Sequence, residues 1–111
     1  RALAAAETLK SEHGIDCEVV DVRSLVPLDT QTILGSVGRT HRLFTVEENP
    51  RLCGWGAEIV SIVADEAFYD LDAPVARVCR VEVPIPYPKH LEEAALPQAA
   101  GIVAAVKGFF Q

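Results

Sequence analysis

The sequence predicts an α/β fold in which a parallel or mostly parallel sheet is covered by helices on both faces. Short β-like runs alternate along the chain with longer helical patterns, as strand–helix–strand units require. The stretch from Val81 to Gln98 then holds four of the seven prolines and precedes a last helical pattern. A chain of 111 residues, half of them apolar, has room for one hydrophobic core, so we expect a single domain, residues 1–111.

Four helical patterns and three strand patterns follow one another. The predicted helices are Ala2 to Leu9, the stretch from Asp29 or Thr30 to Gly38, the stretch after Gly54, and Gln98 to Phe109. The predicted strands are Cys17 to Val22, Arg42 to Glu47, and Val75 to Cys79. Gly14 is placed to end the first helix, and Gly38 is placed to end the second.

Prolines determine the conformation expected between Val81 and Gln98. Proline fixes φ, removes a backbone donor and keeps the preceding residue out of the helical region. Pro84, Pro86 and Pro88 should therefore hold this crossing extended. The sequence predicts that it is neither a helix nor a central strand.

Composition excludes several classes of function. The formal charge of -6 opposes binding to nucleic acid and favours a basic protein as partner. No apolar run approaches the ~18 residues of a membrane span, and no signal-peptide pattern is present. The three cysteines have neither disulfide nor metal spacing, which favours a reducing cytoplasm. The chain starts at Arg1 within a helical pattern, so we expect it to be a piece of a longer polypeptide.

Two acidic residues are the first candidates for catalysis. Glu47 and Glu48 close the second predicted strand, and open α/β sheets bind ligands at the carboxyl ends of their strands. Either could act as a general acid or base. Neighbouring strand residues point to opposite sides, however, so the structural alternative is that one carboxylate caps or pairs locally while the other faces water.

Gly54-Trp55-Gly56 has the form of the beginning of a phosphate-binding turn, since glycines let the backbone approach an anion at a helix N-terminus. An alternative function is therefore a regulatory anion- or nucleotide-binding α/β domain. Ile59 replaces the third glycine of G-x-G-x-x-G, and Glu58 already lies in the first turn. The glycines fit a close contact between elements as well, with Trp55 as a packing residue or a subunit-interface anchor.

The remaining reactive side chains form no recognisable site. His13, His41 and His90 lie in different predicted elements without metal-binding spacing. Cys53 near a helix start could be reactive, but a free cysteine is more often an inert apolar residue. The sequence thus predicts no catalytic, cofactor-binding or metal-binding residue in this chain.

Several motifs, in order along the chain, resemble one family. They are E-V-V-D-V-R-S-L-V-P-L-D from Glu18 to Asp29, R-L-F-T-V-E-E from Arg42 to Glu48, G-x-G-A-E-I from Gly54 to Ile59, L-D-A-P-V-x-R-V from Leu71 to Val78, and V-P-I-P-Y with L-E-x-A-A-L-P-Q from Val83 to Gln98. The chain resembles the C-terminal domain of the transketolase superfamily. It is most similar to the beta subunit of the E1 component of thiamine diphosphate-dependent 2-oxo acid dehydrogenases.

The resemblance implies a three-layer α/β/α sandwich with a mostly parallel mixed sheet, one antiparallel edge strand, and a first strand missing from this chain. In such enzymes the alpha subunit and the N-terminal domain of the beta subunit hold thiamine diphosphate, which acts with Mg²⁺. Neither region is in this chain, so the resemblance implies that the isolated domain binds no cofactor and is inactive. The whole E1 decarboxylates pyruvate or a related 2-oxo acid and passes the acyl group to the lipoyl arm of E2.

By the same resemblance the domain serves assembly and docking. Its implied partners are the E1 alpha subunit and a second beta subunit in an α2β2 heterotetramer, and the peripheral subunit-binding domain of E2. Asp72 of the L-D-A-P motif aligns with an acidic position near that E2 contact, and Phe109 and Phe110 could supply aromatic surface. The structural alternative is that Asp72 stabilises a turn before Pro74 and that both rings pack on the sheet. The expected location is the cytoplasm, or the mitochondrial matrix in a eukaryote.

Overall fold

A computed structural model describes residues 1–110 of the chain. The helices of this part are α1 (Ala2–His13), α2 (Thr30–Thr40), α3 (Trp55–Glu66), α4 (Lys89–Ala95) and α5 (Ala99–Lys107). The strands are β1 (Phe44–Pro50) and β2 (Ala76–Arg80), and a 3₁₀ turn, Phe68–Asp70, follows α3. None of the helices described has the length and apolar character that crossing a bilayer requires.

The two strands run parallel, with Thr45 opposite Arg77 and Val46 opposite Val78. Helix α3 packs on β1 and is itself covered by α2, while α5 packs on β2 and is covered by α1. Helices therefore lie on both faces, which confirms the predicted α/β architecture with a parallel sheet. Antiparallel pairing within residues 1–110 is limited to an isolated bridge between Leu25 and Leu28.

The main core lies between α2 and α3, where apolar side chains recur at helical spacing. Its buried members are Ile33, Val37, Ile59, Val63 and Ala67. Val37 and Val63 are at most 1% exposed, and burying a valine side chain completely contributes roughly 1.5–3 kcal/mol. Leu9 of α1 and Ile102 and Val106 of α5 are also buried, and these two helices pack on each other.

The predicted helix ends were partly right. Gly14 ends α1 in the left-handed region at φ 67°, as expected. Asp29 caps α2 by accepting the Thr32 hydroxyl at 2.7 Å and the Thr32 N–H at 3.1 Å, and both bonds lower the pKa of Asp29. The prediction that Gly38 ends α2 was wrong, because the helix continues to Thr40 and His41 takes the left-handed position at φ 62°. A glycine within a helix costs only ~1 kcal/mol, which the packing of α2 on α3 offsets.

The predicted strand from Cys17 to Val22 was wrong as a hydrogen-bonded element. The chain forms neither helix nor strand from Gly14 to Ser24, and it turns tightly at Arg23, which has φ 56° and is spanned by a hydrogen bond from the Ser24 N–H to the Val22 carbonyl oxygen. Val20 and Val22 pack against the core. No backbone hydrogen bond joins this segment to β1. A strand exists only beside a partner strand, and here an open slot lies between the segment and β1.

The proline crossing runs without a bend only from Pro84 to Pro86, because the chain bends at Glu82–Val83 and at Tyr87–Pro88, so the prediction that it is extended was right only in part. Residues 81–88 form neither helix nor strand, as predicted, but α4 lies within the stretch that the sequence assigned to the crossing. A proline is tolerated at a helix start, where its missing N–H would have no partner. The Pro88 carbonyl accepts the N–H groups of Leu91 and Glu92, and the following residues are mostly good helix formers.

Candidate functional site

A buried carboxylate, that of Glu47, connects β1, β2 and the start of α3. Its side chain has no solvent exposure. Arg77 Nη2 donates to Glu47 Oε1 at 2.8 Å, and the Gly56 N–H donates to Oε2 at 3.2 Å. The Cys79 thiol also donates to Oε1, at 3.4 Å. We call these four residues the Glu47 cluster.

The alternation of β1 sends its two glutamates to opposite sides. Glu47 and Thr45 are buried, and both contact the glycines at the start of α3. Glu48 is exposed and pairs with Arg1 at 3.2 Å. This is the structural alternative foreseen from the sequence, with one carboxylate bound locally and the other facing water.

The two glycines of Gly54-Trp55-Gly56 are required by close approach. A Cβ at Gly54 would lie 2.6 Å from Glu47 Oε1 and 2.7 Å from the Pro50 carbonyl oxygen. A Cβ at Gly56 would lie 2.7 Å from Thr45 Oγ1. The N-terminus of α3 is thus occupied by the chain's own carboxylate, which stabilises the helix as a bound anion would. This occupancy removes the space and the charge preference on which the anion-binding alternative depended.

The residues present do not fit thiamine diphosphate or Mg²⁺. Within residues 1–110 no group of three histidine, cysteine, aspartate or glutamate side chains is placed to hold a metal ion. The helix start that could have received a pyrophosphate is filled by Glu47. No step of a thiamine-dependent reaction is therefore assigned to this domain.

The half-buried thiols of Cys17 and Cys79 are poor nucleophiles. Burial raises the pKa of Cys79, and its hydrogen bond to Glu47 raises it further. Burial, with the nearby Asp16 carboxylate, also raises the pKa of Cys17. Only a thiolate attacks readily, so both cysteines act as packing residues in this environment.

The predicted docking residues, Asp72, Phe109 and Phe110, all lie near the segment that leads into the amino-terminal end of β1. The Asp72 N–H donates to the His41 carbonyl oxygen at 2.8 Å, and the Asp72 side chain is exposed. Arg42 donates to the Phe109 carbonyl oxygen at 2.7 Å, and its guanidinium lies 4.1 Å from the centre of the Phe110 ring. Consecutive residues of one segment, His41 and Arg42, thus hold Asp72 and the chain end.

The two aromatic residues near the chain end have different environments. The Phe109 ring is half-buried and meets Phe44 edge to face, with centroids 5.5 Å apart. Phe110 is 47% exposed and has one face covered by Arg42. Phe109 therefore follows the packing alternative, whereas Phe110 offers aromatic surface.

An acidic surface that includes Asp72 was not predicted from the sequence. Phe68 is 59% and Tyr69 is 97% exposed, and their rings meet edge to face with centroids 5.4 Å apart. We define the acidic surface as these two rings with the exposed carboxylates of Asp65, Glu66, Asp70 and Asp72. No lysine or arginine occurs between Ala64 and Pro74, and this was the signal available in the sequence.

Trp55 and the proline crossing differ in how much apolar surface they leave free. Trp55 is half-buried and packs against the main core, so the chain's own residues take much of its surface. Apolar side chains alternate with prolines along the crossing and stay largely exposed. They are Val81 (52%), Val83 (47%), Ile85 (53%) and Tyr87 (101%). A row of exposed apolar side chains of this kind is a candidate interaction surface.

Comparison with known proteins agrees with the motifs. The family described as transketolase, C-terminal domain, matches residues 1–102. The pyruvate dehydrogenase E1 component subunit beta of Rickettsia felis is 49% identical over 96% of this chain and 32% of that protein. The mitochondrial counterparts of Saccharomyces cerevisiae and Drosophila melanogaster are 47% and 51% identical over 96% and 93% of this chain, and 29% and 28% of those proteins. The chain thus spans roughly a third of the length of these relatives.

Proposed function

Because the chain belongs to the transketolase C-terminal domain family, we propose that it is the assembly and docking domain of the E1 beta subunit of a 2-oxo acid dehydrogenase complex. The parent enzyme would carry out the thiamine diphosphate-dependent oxidative decarboxylation of pyruvate or a related 2-oxo acid. It would act in the bacterial cytoplasm or the mitochondrial matrix. One observation supports this role. All the charged groups of the Glu47 cluster are paired with other groups of the chain, whereas an acidic surface and a row of apolar side chains remain exposed.

The acidic surface is the proposed docking site for the peripheral subunit-binding domain of E2, which is basic. Four carboxylates without an intervening basic residue favour a positively charged partner and speed its approach at low salt. Phe68 and Tyr69 add exposed aromatic area, and aromatic residues are enriched at protein interfaces. Phe110, which stacks on Arg42, adds exposed aromatic surface at the same end of the sheet. Phe109 packs on Phe44 and so positions Phe110.

The proline crossing is the proposed assembly surface for the E1 alpha subunit and the second beta subunit. Prolines already restrict its backbone, so little conformational entropy is lost when a partner covers it. The alternating apolar side chains would be buried in the α2β2 heterotetramer. The exposed part of Trp55, at the start of α3, is the second contact assigned to subunit assembly.

Changing Asp72 to asparagine should weaken binding of the E2 subunit-binding domain and flatten its salt dependence, because one carboxylate of the acidic surface is lost. An exposed ion pair contributes no more than ~1 kcal/mol, so we expect about a fivefold rise in Kd at most. The measurement is a titration of the assembled E1 at several salt concentrations. Glu93→Gln is the matched control, since Glu93 is exposed on α4, which is bonded to the chain after β2 by the Val81 N–H and the Ala95 carbonyl oxygen, and it should leave the titration unchanged.

An unchanged titration for Asp72→Asn would refute the assignment of this residue. Tyr69→Ala separates the two contributions, because it removes the exposed ring without changing charge. We expect it to weaken binding with the salt dependence preserved. If both variants bind like the unsubstituted protein, docking takes place on another surface of E1.

The isolated chain should not decarboxylate pyruvate when thiamine diphosphate and Mg²⁺ are added. The reason is that the helix start at Gly56 is filled by Glu47 and the described residues offer no metal-binding group. Carbon dioxide release can be followed directly, with assembled E1 as the positive control. Turnover by the isolated chain would contradict a purely structural role for this domain.

A further inference from the structure

Phe109 and Phe110 follow helix α5 in a turn that its own backbone bonds do not fasten to the sheet. The Phe109 N–H donates to the Val106 carbonyl oxygen at 3.1 Å, and the Phe110 N–H donates to the Lys107 carbonyl oxygen at 3.0 Å. Both bonds reach only three residues back along the chain. The position of these two rings therefore depends on contacts with the part of the chain that leads into β1.

Arg42 makes two contacts of different kinds with this turn. Its Nη1 donates to the Phe109 carbonyl oxygen at 2.7 Å, and its guanidinium carbon lies 4.1 Å from the centre of the Phe110 ring. A cation within about 6 Å of a ring centre is attracted to the face of the ring. The planar guanidinium can donate in its plane while it stacks on a ring, which a lysine ammonium cannot do. Arg42 thus holds the backbone of Phe109 and the ring of Phe110 at the same time.

The same arginine lies next to the acidic surface. Arg42 follows His41, whose carbonyl oxygen accepts the Asp72 N–H at 2.8 Å. A bare cation at this position would repel a basic partner. The Phe110 ring covers one face of the guanidinium, and the Phe109 carbonyl oxygen accepts one of its N–H groups. The contacts that hold the rings therefore also reduce the positive charge that a partner would meet.

We infer that Arg42 is the positioning residue of the docking surface. It holds the Phe110 ring where the partner meets it, and the ring in turn covers the charge of Arg42. This inference rests on the proposed docking function, in which Phe110 makes the contact and Arg42 acts through it. The family motifs gave Phe110 as a candidate contact but gave no residue that holds it. The basic domain of E2 thus meets two features at one end of the sheet: carboxylates that attract it and an aromatic ring mounted on a covered cation.

Arg42→Lys in the assembled E1 tests the inference while the charge is kept. Lysine cannot stack and donate as arginine does, so we expect Kd for the E2 subunit-binding domain to rise about fivefold, with the salt dependence preserved. In a Phe110→Ala background the same substitution should have no effect, because the ring through which Arg42 acts is gone. Arg39→Lys is the matched control, since the Arg39 guanidinium pairs with Glu18 instead of the chain end, and it should leave Kd unchanged.

Arg42→Met in the Phe110→Ala background tests the covering of the charge. Without the ring the guanidinium is uncovered and opposes a basic partner. Methionine should therefore strengthen binding about twofold relative to Phe110→Ala alone at low salt, and high salt should abolish the gain. A merely structural role for Arg42, in which any substitution disturbs this end of the sheet, would instead weaken binding in both backgrounds.

The outcomes separate this inference from the docking function on which it rests. If Phe110→Ala or Asp72→Asn weakens binding while Arg42→Lys has no effect, or has an equal effect in both backgrounds, the docking site stands and the positioning role of Arg42 is overturned. If none of these variants changes Kd, the docking function and the positioning role both fail.

Fluorine NMR of assembled E1 with para-fluorophenylalanine in place of Phe110 reports on the ring without a partner. With Arg42 intact, the resonance should differ in position from that of a free ring, because the ring is stacked on the guanidinium. In the Arg42→Lys variant it should move to the position of a free ring and sharpen, since the ring then moves rapidly. A resonance that Arg42→Lys leaves unchanged would overturn the inference even if binding were weakened.

Discussion

Replacing Glu47 by alanine should lower the free energy of unfolding of this domain by about 3–5 kcal/mol, because the nearly buried Arg77 guanidinium loses its counter-charge. The substitution also removes the acceptor of the Gly56 N–H at the start of α3. We would measure the loss in the parent subunit by native-state hydrogen exchange at amides of α3 and β1. This method reports the opening free energy of one region within a larger protein.

Glu48 provides a matched control, since it is the neighbouring residue of the same type. It is exposed and pairs with Arg1 at the surface, so Glu48→Ala should cost no more than ~1 kcal/mol. Glu47→Gln keeps an oxygen that can accept the Gly56 N–H but loses the charge beside Arg77, and its cost should fall between the two alanine variants. A small and equal loss for both alanine variants would show that the Glu47 cluster does not stabilise the fold.

Local patterns predicted most helices because helix ends depend on neighbouring residues. Gly14 supplies the left-handed conformation that ends α1, and Asp29 supplies the side-chain cap of α2. The burial of Glu47 and the exposure of Glu48 also follow from a local rule, the two-residue period of a strand. These predictions needed no knowledge of contacts between distant elements.

The elements that were predicted wrongly depend on contacts with distant parts of the chain or on the position of a residue at a helix end. Cys17–Val22 has a strand-like pattern, but pairing requires a neighbouring strand that residues 1–110 do not place beside it. Helix α4 was missed because Pro88 was treated only as a helix breaker, although a proline is compatible with a helix start. Gly38 was treated as a helix end, yet tertiary contacts of α2 extend the helix past it.

The Glu47 cluster could be predicted only in part, for the same reason. Glu47 and the glycines were recognised from the sequence, but Arg77 and Cys79 lie about thirty residues further on and join them only through the pairing of β1 with β2. A basic residue in the strand predicted next along the chain was the available signal. It could not be used without the register, which depends on how the helices pack against the sheet.

Gly54→Ala is expected to destabilise the domain by about 1–3 kcal/mol, because overpacking a close contact forces its neighbours apart. The backbone angles at Gly54, φ −71° and ψ 150°, are open to alanine, so the cost is steric and not conformational. A Cβ there would meet the Glu47 carboxylate and the Pro50 carbonyl oxygen, at 2.6 Å and 2.7 Å. The Pro50 oxygen belongs to the backbone of β1 and cannot move aside as a flexible side chain would. The loss is measured by hydrogen exchange at the α3 amides in the parent subunit.

Gly38→Ala is the matched control, because it is the same substitution at a glycine that makes no close contact. A Cβ at Gly38 has no neighbour within 4 Å, and this glycine lies within α2. Alanine should therefore stabilise the domain by about 0.5–1 kcal/mol through its higher helix propensity, opposite in sign to the change at Gly54. Combining Gly54→Ala with Glu47→Ala should relieve only the carboxylate contact, since the Pro50 oxygen remains, so part of the Gly54→Ala cost should persist. If Gly54→Ala is neutral or stabilising, the close contact between the start of α3 and β1 does not require a glycine at position 54.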